Sequence, residues 1–444
     1  MKKILNYAMC AVFAAACLLV PTACGGVKYA IPKYEDGKSM IIGSWVPYFG
    51  DGSQERYDEI AAAGFTTLFN IGEQVNYTNP SHPTYVKKVL DRAQAAGLNA
   101  VLFDDAMSGK RVPTLDTRYT DLYMDHPALL GNNIYDEPSA RQFEDLGAQV
   151  ETYKELFSGK LAYLNLFPDV GAGTLQAANF ETYVTEFMET VKPDLLSYDN
   201  YVLYDDGSVK ESFFIDMSKV RYIAAQFGVP AFNFLLAVGH KAGPFKYRQP
   251  DEVDFRWQIA CDLAYGYSGF SYYCYWERKD PNYEECIISK KGQKTELYYA
   301  AQQVNYEILA WDHVYLDFNW EGTALVKNAK NLFSPLFAGV NLKDPVTLIG
   351  GIGGVSAQYD ALFGMFKDGR GNRGFMVTNA TNTLDRLENT VTVTFDKEYK
   401  GVMVYGKDVL ADGEPEIFAL NKSGEFTMTL DPGEGRFLIP LKKK

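Results

Sequence analysis

The feature that most constrains the fold is an alternation of short apolar runs with stretches of helical periodicity, repeated eight times between residues 41 and 276. The runs are apolar at nearly every position, which is typical of parallel strands covered on both faces. Gly64, Gly97, Gly228 and Gly266 each end a helical stretch, where a left-handed cap favours glycine. Eight β–α units in roughly 275 residues predict an α/β fold, a (β/α)8 TIM barrel. A doubly wound sheet normally has fewer strands and a Gly-rich first turn, and residues 47–52 carry no GxGxxG.

The C-terminal part of the chain has a different pattern. After a last helical stretch at 295–309, short strand-like runs are separated by turn residues, and residues 390–395 alternate between Thr and apolar side chains. Such alternation is typical of half-buried antiparallel strands. The sequence therefore predicts a barrel over 40–315 followed by a small all-β sandwich domain over 316–444.

The N-terminus has the features of an export signal. Lys2 and Lys3 precede an apolar segment at 8–20, and small residues then lead to Cys24. The segment resembles a bacterial lipoprotein signal, which implies a signal peptide over 1–24, lipidation of Cys24 and a tether over 25–39. We expect an exported protein held at the bacterial envelope, on the periplasmic face or the cell surface, by its lipid anchor only. Secretion with cleavage near Ala23 is the alternative, and Cys17 ends a weaker rival site.

Charge and metal-binding residue types exclude several kinds of partner. The formal net charge is −13 and no cluster of Lys and Arg stands out apart from the terminal lysines, so no nucleic-acid partner is expected. Four His without HExxH spacing predict no metal and no cofactor. Beyond the signal, Cys261, Cys274 and Cys286 are odd in number and lack CxxC spacing, which predicts neither a disulfide framework nor a zinc site. Cys261 and Cys274 lie in apolar runs, as small core residues do.

Barrels carry their reactive groups at the carboxyl ends of the strands, so candidate site residues were taken from those positions. They comprise carboxylates, amides and aromatic rings: Trp45, Tyr48, Asn70, Asp104, Asp136, Glu137, Asp199, Tyr201, Asn233, Tyr273, Trp276 and Glu277. Phosphorylated substrates are disfavoured because this set holds no Lys or Arg. Aromatic rings stack on sugar C–H faces, and paired carboxylates are what glycosidic cleavage requires. We therefore expect a neutral carbohydrate as the substrate.

One stretch of sequence carries a family resemblance. Residues 125–131 read DHPALLG and residues 135–138 read YDEP. Together they resemble the fourth-strand signature of clan-A-like barrel glycoside hydrolases of gut Bacteroidetes, related to the family 42 β-galactosidases. The order of signal, barrel and small β-sandwich is similar as well. The resemblance implies that Glu137 is the general acid/base.

The sequence departs from that clan at two positions. Asp136 stands where the clan usually has Asn, and the seventh strand, 231–240, contains no acid where the clan has its nucleophile. Asp199 is the first candidate for the second carboxylate, Glu277 the second and Asp136 the third. The adjacent Asp136–Glu137 pair is similar to the arrangement in substrate-assisted hexosaminidases, and the Tyr–Asp of strand six is similar to that in chitinase-type barrels. An enzyme of this substrate-assisted kind needs no protein nucleophile.

The sequence thus predicts a glycoside hydrolase that cleaves poly- or oligosaccharide with a carboxylate general acid/base. A like-charged neighbour, Asp136 or Asp199, is expected to keep Glu137 protonated near neutral pH. The alternative is a catalytically silent carbohydrate-binding lipoprotein on the same barrel, which the acid-free seventh strand favours.

Overall fold

A computed structural model describes residues 28–35, 37–46, 52–71, 82–108, 115–276, 280–326, 351–409 and 413–444. Four predicted features lie outside these residues: the signal peptide, Cys24, Tyr48 and Glu277. The side chain of Asn70 is also outside the described part.

Eight parallel strands form the barrel: β1 (Ile41–Trp45), β2 (Thr67–Ile71), β3 (Asn99–Leu102), β4 (Leu129–Asp136), β5 (Leu161–Leu166), β6 (Leu196–Asp199), β7 (Ala231–Leu236) and β10 (Gly269–Tyr273). They close in the order β1-β10-β7-β6-β5-β4-β3-β2. A hairpin of β8 (His240–Ala242) and β9 (Phe245–Tyr247) follows β7. The predicted TIM barrel is therefore confirmed.

Helices surround the barrel on its outside. They are α1 (Gln54–Ala62), α2 (His82–Ala95), α3 (Phe143–Leu156), α4 (Ala172–Leu175), α5 (Phe180–Thr190), α6 (Phe213–Phe227), α7 (Glu252–Ala264), α8 (Glu296–Leu309) and α9 (Asp312–Tyr315). Short 3-10 turns cover Thr120–Leu122, Ala140–Gln142 and Thr383–Asp385. None of the described helices is long and apolar enough to cross a membrane.

Aromatic side chains fill the barrel interior. The Trp45 ring meets Phe234 edge-on at 5.0 Å, and Phe69 lies 5.0 Å from Tyr163. Phe232 and Phe234 are both buried in this cluster, whereas the residues of β7 on the opposite face contact the helices. This packed interior leaves only the barrel's ends for a ligand.

A close approach of β4 and β5 sets the register next to the candidate acids. A Cβ on Gly131 would lie 1.9 Å from the Leu161 carbonyl oxygen, so only glycine fits there. The pairing then shifts between Asn133 and Tyr135, and Asp136 comes to lie opposite Asn165. The irregularity therefore places an amide beside the last residue of β4.

The C-terminal part consists of two antiparallel sheets. Their strands are β11 (Phe318–Val326), β12 (Ile352–Ala357), β13 (Ala361–Asp368), β14 (Arg373–Asn379), β15 (Asn389–Phe395), β16 (Tyr399–Tyr405), β17 (Glu416–Ala419), β18 (Glu425–Leu430) and β19 (Gly435–Lys442). The order is β11-β13-β14-β19-β16-β17 in one sheet and β12-β15-β18 in the other. A shared apolar core includes Phe363, Phe375 and Val393. These sheets confirm the predicted sandwich.

The sandwich packs against the helices of the barrel. Trp311 stacks on Phe437 at 6.1 Å, and Tyr315 meets Phe366 at 5.5 Å. A Cβ on Gly364 would lie 2.2 Å from the carbonyl oxygen of Ala264 in α7, so the two parts are in close backbone contact. Their apolar side chains belong to one continuous core.

Candidate active site

A cavity of about 380 Å³ opens at the carboxyl end of the barrel. Its lining comes from the ends of β1, β4, β5, β6, β7 and β10 and from the segments that follow them. The lining residues are Trp45, Asp136, Glu137, Asn165, Asp199, Tyr201, Phe234, His240, Ala242, Tyr273 and Tyr283. Of the predicted residues, the cavity brings together three carboxylates (Asp136, Glu137 and Asp199) and three aromatic side chains (Trp45, Tyr201 and Tyr273).

Glu137 is the first residue after β4 and has a left-handed backbone, with φ of 55°. Such a conformation is rare for a residue with a side chain and costs on the order of 1–3 kcal/mol. It is held by a 2.8 Å hydrogen bond from the Glu137 N–H to the Asn165 carbonyl. The half-buried Glu137 side chain is thereby placed in the cavity. Non-glycine residues held in this way cluster at functional sites.

Asn165 links two of the acids through its side-chain amide. Its Nδ2 donates to Asp199 Oδ1 at 2.8 Å and reaches Asp136 Oδ1 at 3.5 Å. The Ser197 hydroxyl donates to Asn165 Oδ1 at 2.8 Å, so the Tyr163 hydroxyl, 2.8 Å from Ser197 Oγ, is the donor of the next bond. This chain of donors fixes the amide with its N–H groups toward the carboxylates.

Asp199 ends β6 and is the most deeply placed of the three acids, with 8% of its surface exposed. Burial raises the pKa of its carboxyl well above the ordinary range, and the nearby charges of Glu137 and Asp136 raise the pKa further. Hydrogen bonds from Asn165 and Tyr201 act in the opposite direction but are the smaller causes. The cluster therefore retains a proton on Asp199 at pH values where an isolated aspartate has lost it.

Aromatic rings form one side of the cavity. Tyr201 stacks on Tyr273 with ring centroids 5.2 Å apart. His240 stacks on Tyr283 with ring centroids 5.1 Å apart and an angle of 4° between the ring planes. The Tyr273 and Tyr283 hydroxyls are 2.6 Å apart. Burial, and then the charge of Asp199, raise the pKa of Tyr201, so its hydroxyl stays a neutral donor. We call Tyr201, His240, Tyr273 and Tyr283 the aromatic wall.

Two further lining residues, Asn165 and His240, follow the carboxyl ends of predicted strands, the positions at which the sequence indicates the site. Sequence reasoning missed Phe234 and Tyr283. Tyr283 follows the last barrel strand in a long segment with no periodicity. Residues 280–295 of that segment lie against the cavity, where the Glu284 N–H donates to the Gly239 carbonyl at 2.8 Å.

Three predicted residues lie elsewhere. Asn233 points from β7 to the helices and donates to Asp262 in α7 at 3.0 Å, because Phe232 and Phe234 occupy the interior face. Asp104 is fully buried and accepts hydrogen bonds from Tyr123 at 2.6 Å and from the Ala106 N–H at 2.9 Å. Neither residue lines this cavity, and both take part in buried hydrogen bonds within the fold.

Trp276 is the third residue placed outside this cavity. The Arg56 guanidinium lies 4.9 Å from its ring centroid, and its backbone forms a β-bridge with Ile288. The ring is thus engaged by a cation of α1 on the rim and not by the carboxylate cluster.

No described lining residue of the cavity is Lys or Arg. In the same part of the chain, no three His, Cys, Asp or Glu side chains are grouped as metal ligands would be. What the described residues offer a ligand is therefore carboxyl groups, an amide and aromatic faces.

Neither a protein-family model nor a curated protein matches this chain. Several solved structures are similar to this chain at low identity and with TM-scores below 0.5. A β-galactosidase from the psychrophilic Marinomonas ef1 is 12% identical with a TM-score of 0.45, over 61% of this chain and 60% of its own length. A glycoside hydrolase family 30 endoxylanase from Clostridium papyrosolvens C71 is 12% identical with a TM-score of 0.45, and the match covers 92% of this chain and 97% of the endoxylanase. A glucosidase from Croceicoccus marinus is 12% identical with a TM-score of 0.41, and the match covers 90% of this chain and 95% of the glucosidase. Likeness at this level carries no conclusion about what this chain does.

Proposed function

We propose that this protein is a glycoside hydrolase whose active site is the cavity at the carboxyl end of the barrel. The observation that carries the proposal is that Asp136, Glu137 and Asp199 share one cavity with an aromatic wall. Cleavage of a glycosidic bond needs one carboxyl group that gives a proton and a second that acts as base, nucleophile or orienting group.

Glu137 is the general acid/base in this proposal. It is more exposed than Asp199 and its backbone is held in a conformation that places it in the cavity. A general acid must be within hydrogen-bond reach of the leaving oxygen, which favours the accessible carboxyl over the buried one. Glu137 delivers the proton that the carboxyl cluster retains to the glycosidic oxygen as the bond from that oxygen to the anomeric carbon breaks. In a retaining reaction it then takes a proton from the attacking water.

Asp199 is our first choice for the second carboxyl group, with Asp136 as its neighbour in the same cluster. The Asn165 amide donates to both carboxyl groups, which keeps them in fixed positions within one cluster. Glu277, which lies outside the described residues, remains the alternative. The anomeric configuration of the first product distinguishes retention from inversion, and acceptance of N-acetylhexosaminides alone indicates a substrate-assisted reaction.

The proposed substrate is an uncharged poly- or oligosaccharide. The aromatic wall offers ring faces to the C–H faces of a sugar, and the carboxyl and amide groups opposite it can bind hydroxyl groups. A phosphorylated or sulfated sugar would meet three acids without a lining cation among the described residues. Charge therefore favours neutral sugars.

A catalytically silent carbohydrate-binding protein is the second candidate. Strand β7 contributes Phe234 to the lining and contains no acid, so the position of the clan's usual nucleophile is occupied by apolar residues. In this alternative the same cavity binds the sugar and Glu137 only accepts a hydroxyl hydrogen bond.

The test is hydrolysis of a broad panel of glycans and aryl glycosides, with galactosides and N-acetylhexosaminides included. Wild type runs beside Glu137→Gln and beside Glu144→Gln, which changes an exposed acid in the first turn of α3. We expect turnover that falls by about 10²-fold or more in Glu137→Gln, the scale of acid/base catalysis, and is unchanged in Glu144→Gln. Sugar binding without turnover in all three proteins would favour the silent binder.

We also propose that the protein is exported and anchored by a lipid on Cys24. Cys24→Ala is expected to move the protein from the membrane fraction to the soluble envelope fraction, because one acylated residue is its only proposed anchor. Cell fractionation with an antibody measures this. An unchanged membrane fraction in the variant would contradict the anchor.

A further inference from the structure

Two buried thiols face each other beside the aromatic wall. Cys274 directly follows barrel strand β10, and Cys286 lies in the segment 280–295, which we call the Tyr283 loop. Their Sγ atoms are 3.5 Å apart and both residues are 0% exposed. A disulfide needs a separation of about 2.05 Å, so small side-chain rotations would suffice if the backbones are held in register.

Backbone hydrogen bonds hold that register on both sides of Cys286. The Ile288 N–H donates to the Tyr275 carbonyl at 2.8 Å, immediately after Cys274 in the chain. On the other side, the Glu284 N–H donates to the Gly239 carbonyl at 2.8 Å. The Thr295 hydroxyl also donates to the Cys286 carbonyl at 2.8 Å. The backbone fold therefore places the two thiols opposite each other.

We propose that Cys274 and Cys286 form a disulfide in the exported protein, which fastens the Tyr283 loop to the end of the barrel. Export supplies the oxidising compartment in which such bonds persist. One thiolate attacks a disulfide oxidant, such as a thiol oxidoreductase or oxidised glutathione, to give a mixed disulfide. The second thiolate displaces the oxidant's sulfur. The protein loses two protons and two electrons, and the oxidant becomes two thiols.

The pairing excludes the third cysteine of the described part. Cys261 lies in α7 with 0% exposure, and burial raises the pKa of its thiol well above the ordinary range, so it stays a thiol. Because the paired thiols are also enclosed in the fold, the exchange takes place while the loop is still open, during folding. The odd cysteine count is then one bridge plus one buried thiol.

The bridge has a consequence for the proposed sugar site. Tyr283 is three residues from Cys286 and reaches the aromatic wall through the Tyr273 hydroxyl and the His240 ring. Fastening the loop fixes this tyrosine in the wall. This consequence rests on the proposed glycosidase activity, whereas the bridge rests on the thiol geometry and on the proposed export.

The experiment refolds the full chain in a glutathione redox buffer, alkylates free thiols under denaturing conditions and digests with trypsin. Arg278 and Lys279 separate Cys274 from Cys286, so only a bridge can join peptides 257–278 and 280–290. Peptide 257–278 also holds Cys261, which makes Cys261→Ser the matched control. We expect the joined peptides in wild type and in Cys261→Ser, and their absence in Cys274→Ser.

Alkylation of all three of these cysteines in the refolded wild type would overturn the bridge, and so would loss of the joined peptides in Cys261→Ser. For the sugar site, reduced protein is expected to have a lower melting temperature and a KM raised about 2- to 10-fold, the size of one lost aromatic contact. An unchanged KM would overturn the positioning of Tyr283 while the peptide result stands. Absence of all turnover would refute the proposed function and leave the bridge intact.

Discussion

Two buried aspartates on opposite faces of the barrel wall have nearly the same immediate chemistry. Asp199 accepts from the Asn165 amide at 2.8 Å on the cavity side, and Asp262 accepts from the Asn233 amide at 3.0 Å on the helix side. Burial is the largest cause of a raised carboxyl pKa at both positions. The two aspartates differ in their other neighbours and in their access to a cavity.

Asp199 has two acidic neighbours and an open cavity. Glu137 and Asp136 raise its pKa in addition to burial, and all three acids line a space of about 380 Å³. Asp262 is 0% exposed, and burial is the only cause that raises its pKa. The comparison teaches that a raised pKa alone does not indicate a catalytic group. A second acid and access for a substrate are also required.

The largest expected difference is catalytic. Asp199→Asn should lower kcat by about 10²-fold or more, because the cluster loses an ionisable partner of Glu137. Asp262→Asn should leave kcat within twofold, because its carboxyl does not reach the cavity. Steady-state kinetics on the best substrate of the panel measures both. Equal losses in the two variants would remove the distinction between the two faces.

Substitution of the two amide donors, Asn165 and Asn233, tests the same difference between the two faces. Asn165→Ala should lower kcat/KM by about 10- to 100-fold, since it releases two acids from their fixed positions. Asn233→Ala should instead lower the free energy of unfolding by about 1–3 kcal/mol, the cost of leaving the buried carboxyl of Asp262 without its donor. Kinetics and urea unfolding are run on both variants. A kinetic defect in Asn233→Ala alone would reverse our assignment.

Both aspartates should make stability fall with rising pH. Below pH about 3.8 the carboxyl is protonated in the folded and the unfolded chain alike. At higher pH the unfolded chain ionises first because the folded pKa is raised, so the free energy of unfolding decreases until the folded group ionises as well. Each tenfold change in proton affinity contributes about 1.4 kcal/mol. Urea unfolding between pH 4 and 8 should show a shallower decline for Asp199→Asn and for Asp262→Asn, and a decline unchanged in both would refute this origin.

The smallest expected effect concerns the aromatic wall. Tyr283→Ala should raise KM about 2- to 10-fold with little change in kcat, because an aromatic contact is lost without moving the acids. Tyr299→Ala is the control, since that side chain is 58% exposed on α8. A KM that changes equally in both variants would show that Tyr283 has no specific part in binding.

The barrel could be predicted because the apolar run is a local signal that repeats eight times, and four of the helical stretches end at a glycine. The carboxylates at the ends of β4 and β6 could be predicted as site residues because the carboxyl ends of all barrel strands lie at the same end of the barrel. Asn233 was assigned to the wrong face because β7 is apolar at nearly every position, which hides the phase of the alternation.

Other parts of the site depend on contacts between distant segments. The Tyr283 loop has no periodicity, and its place over the cavity is set by backbone hydrogen bonds to residues some 40 positions away. Asp104 follows a strand end as the catalytic candidates do, yet its carboxylate caps the Ala106 N–H and binds Tyr123. Sequence position alone does not separate a substrate contact from such a local turn.

The most direct test of the account is a carbon-13 titration of the aspartate side-chain carboxyls, with Asp199 and Asp262 assigned from their Asn variants. We predict that both titrate above the ordinary aspartate range in wild type. In Glu137→Gln the pKa of Asp199 should fall, because a neighbouring negative charge is gone, and that of Asp262 should not change. An Asp199 that titrates normally, or whose pKa is the same in Glu137→Gln, would contradict a shared carboxyl cluster at the mouth of the barrel.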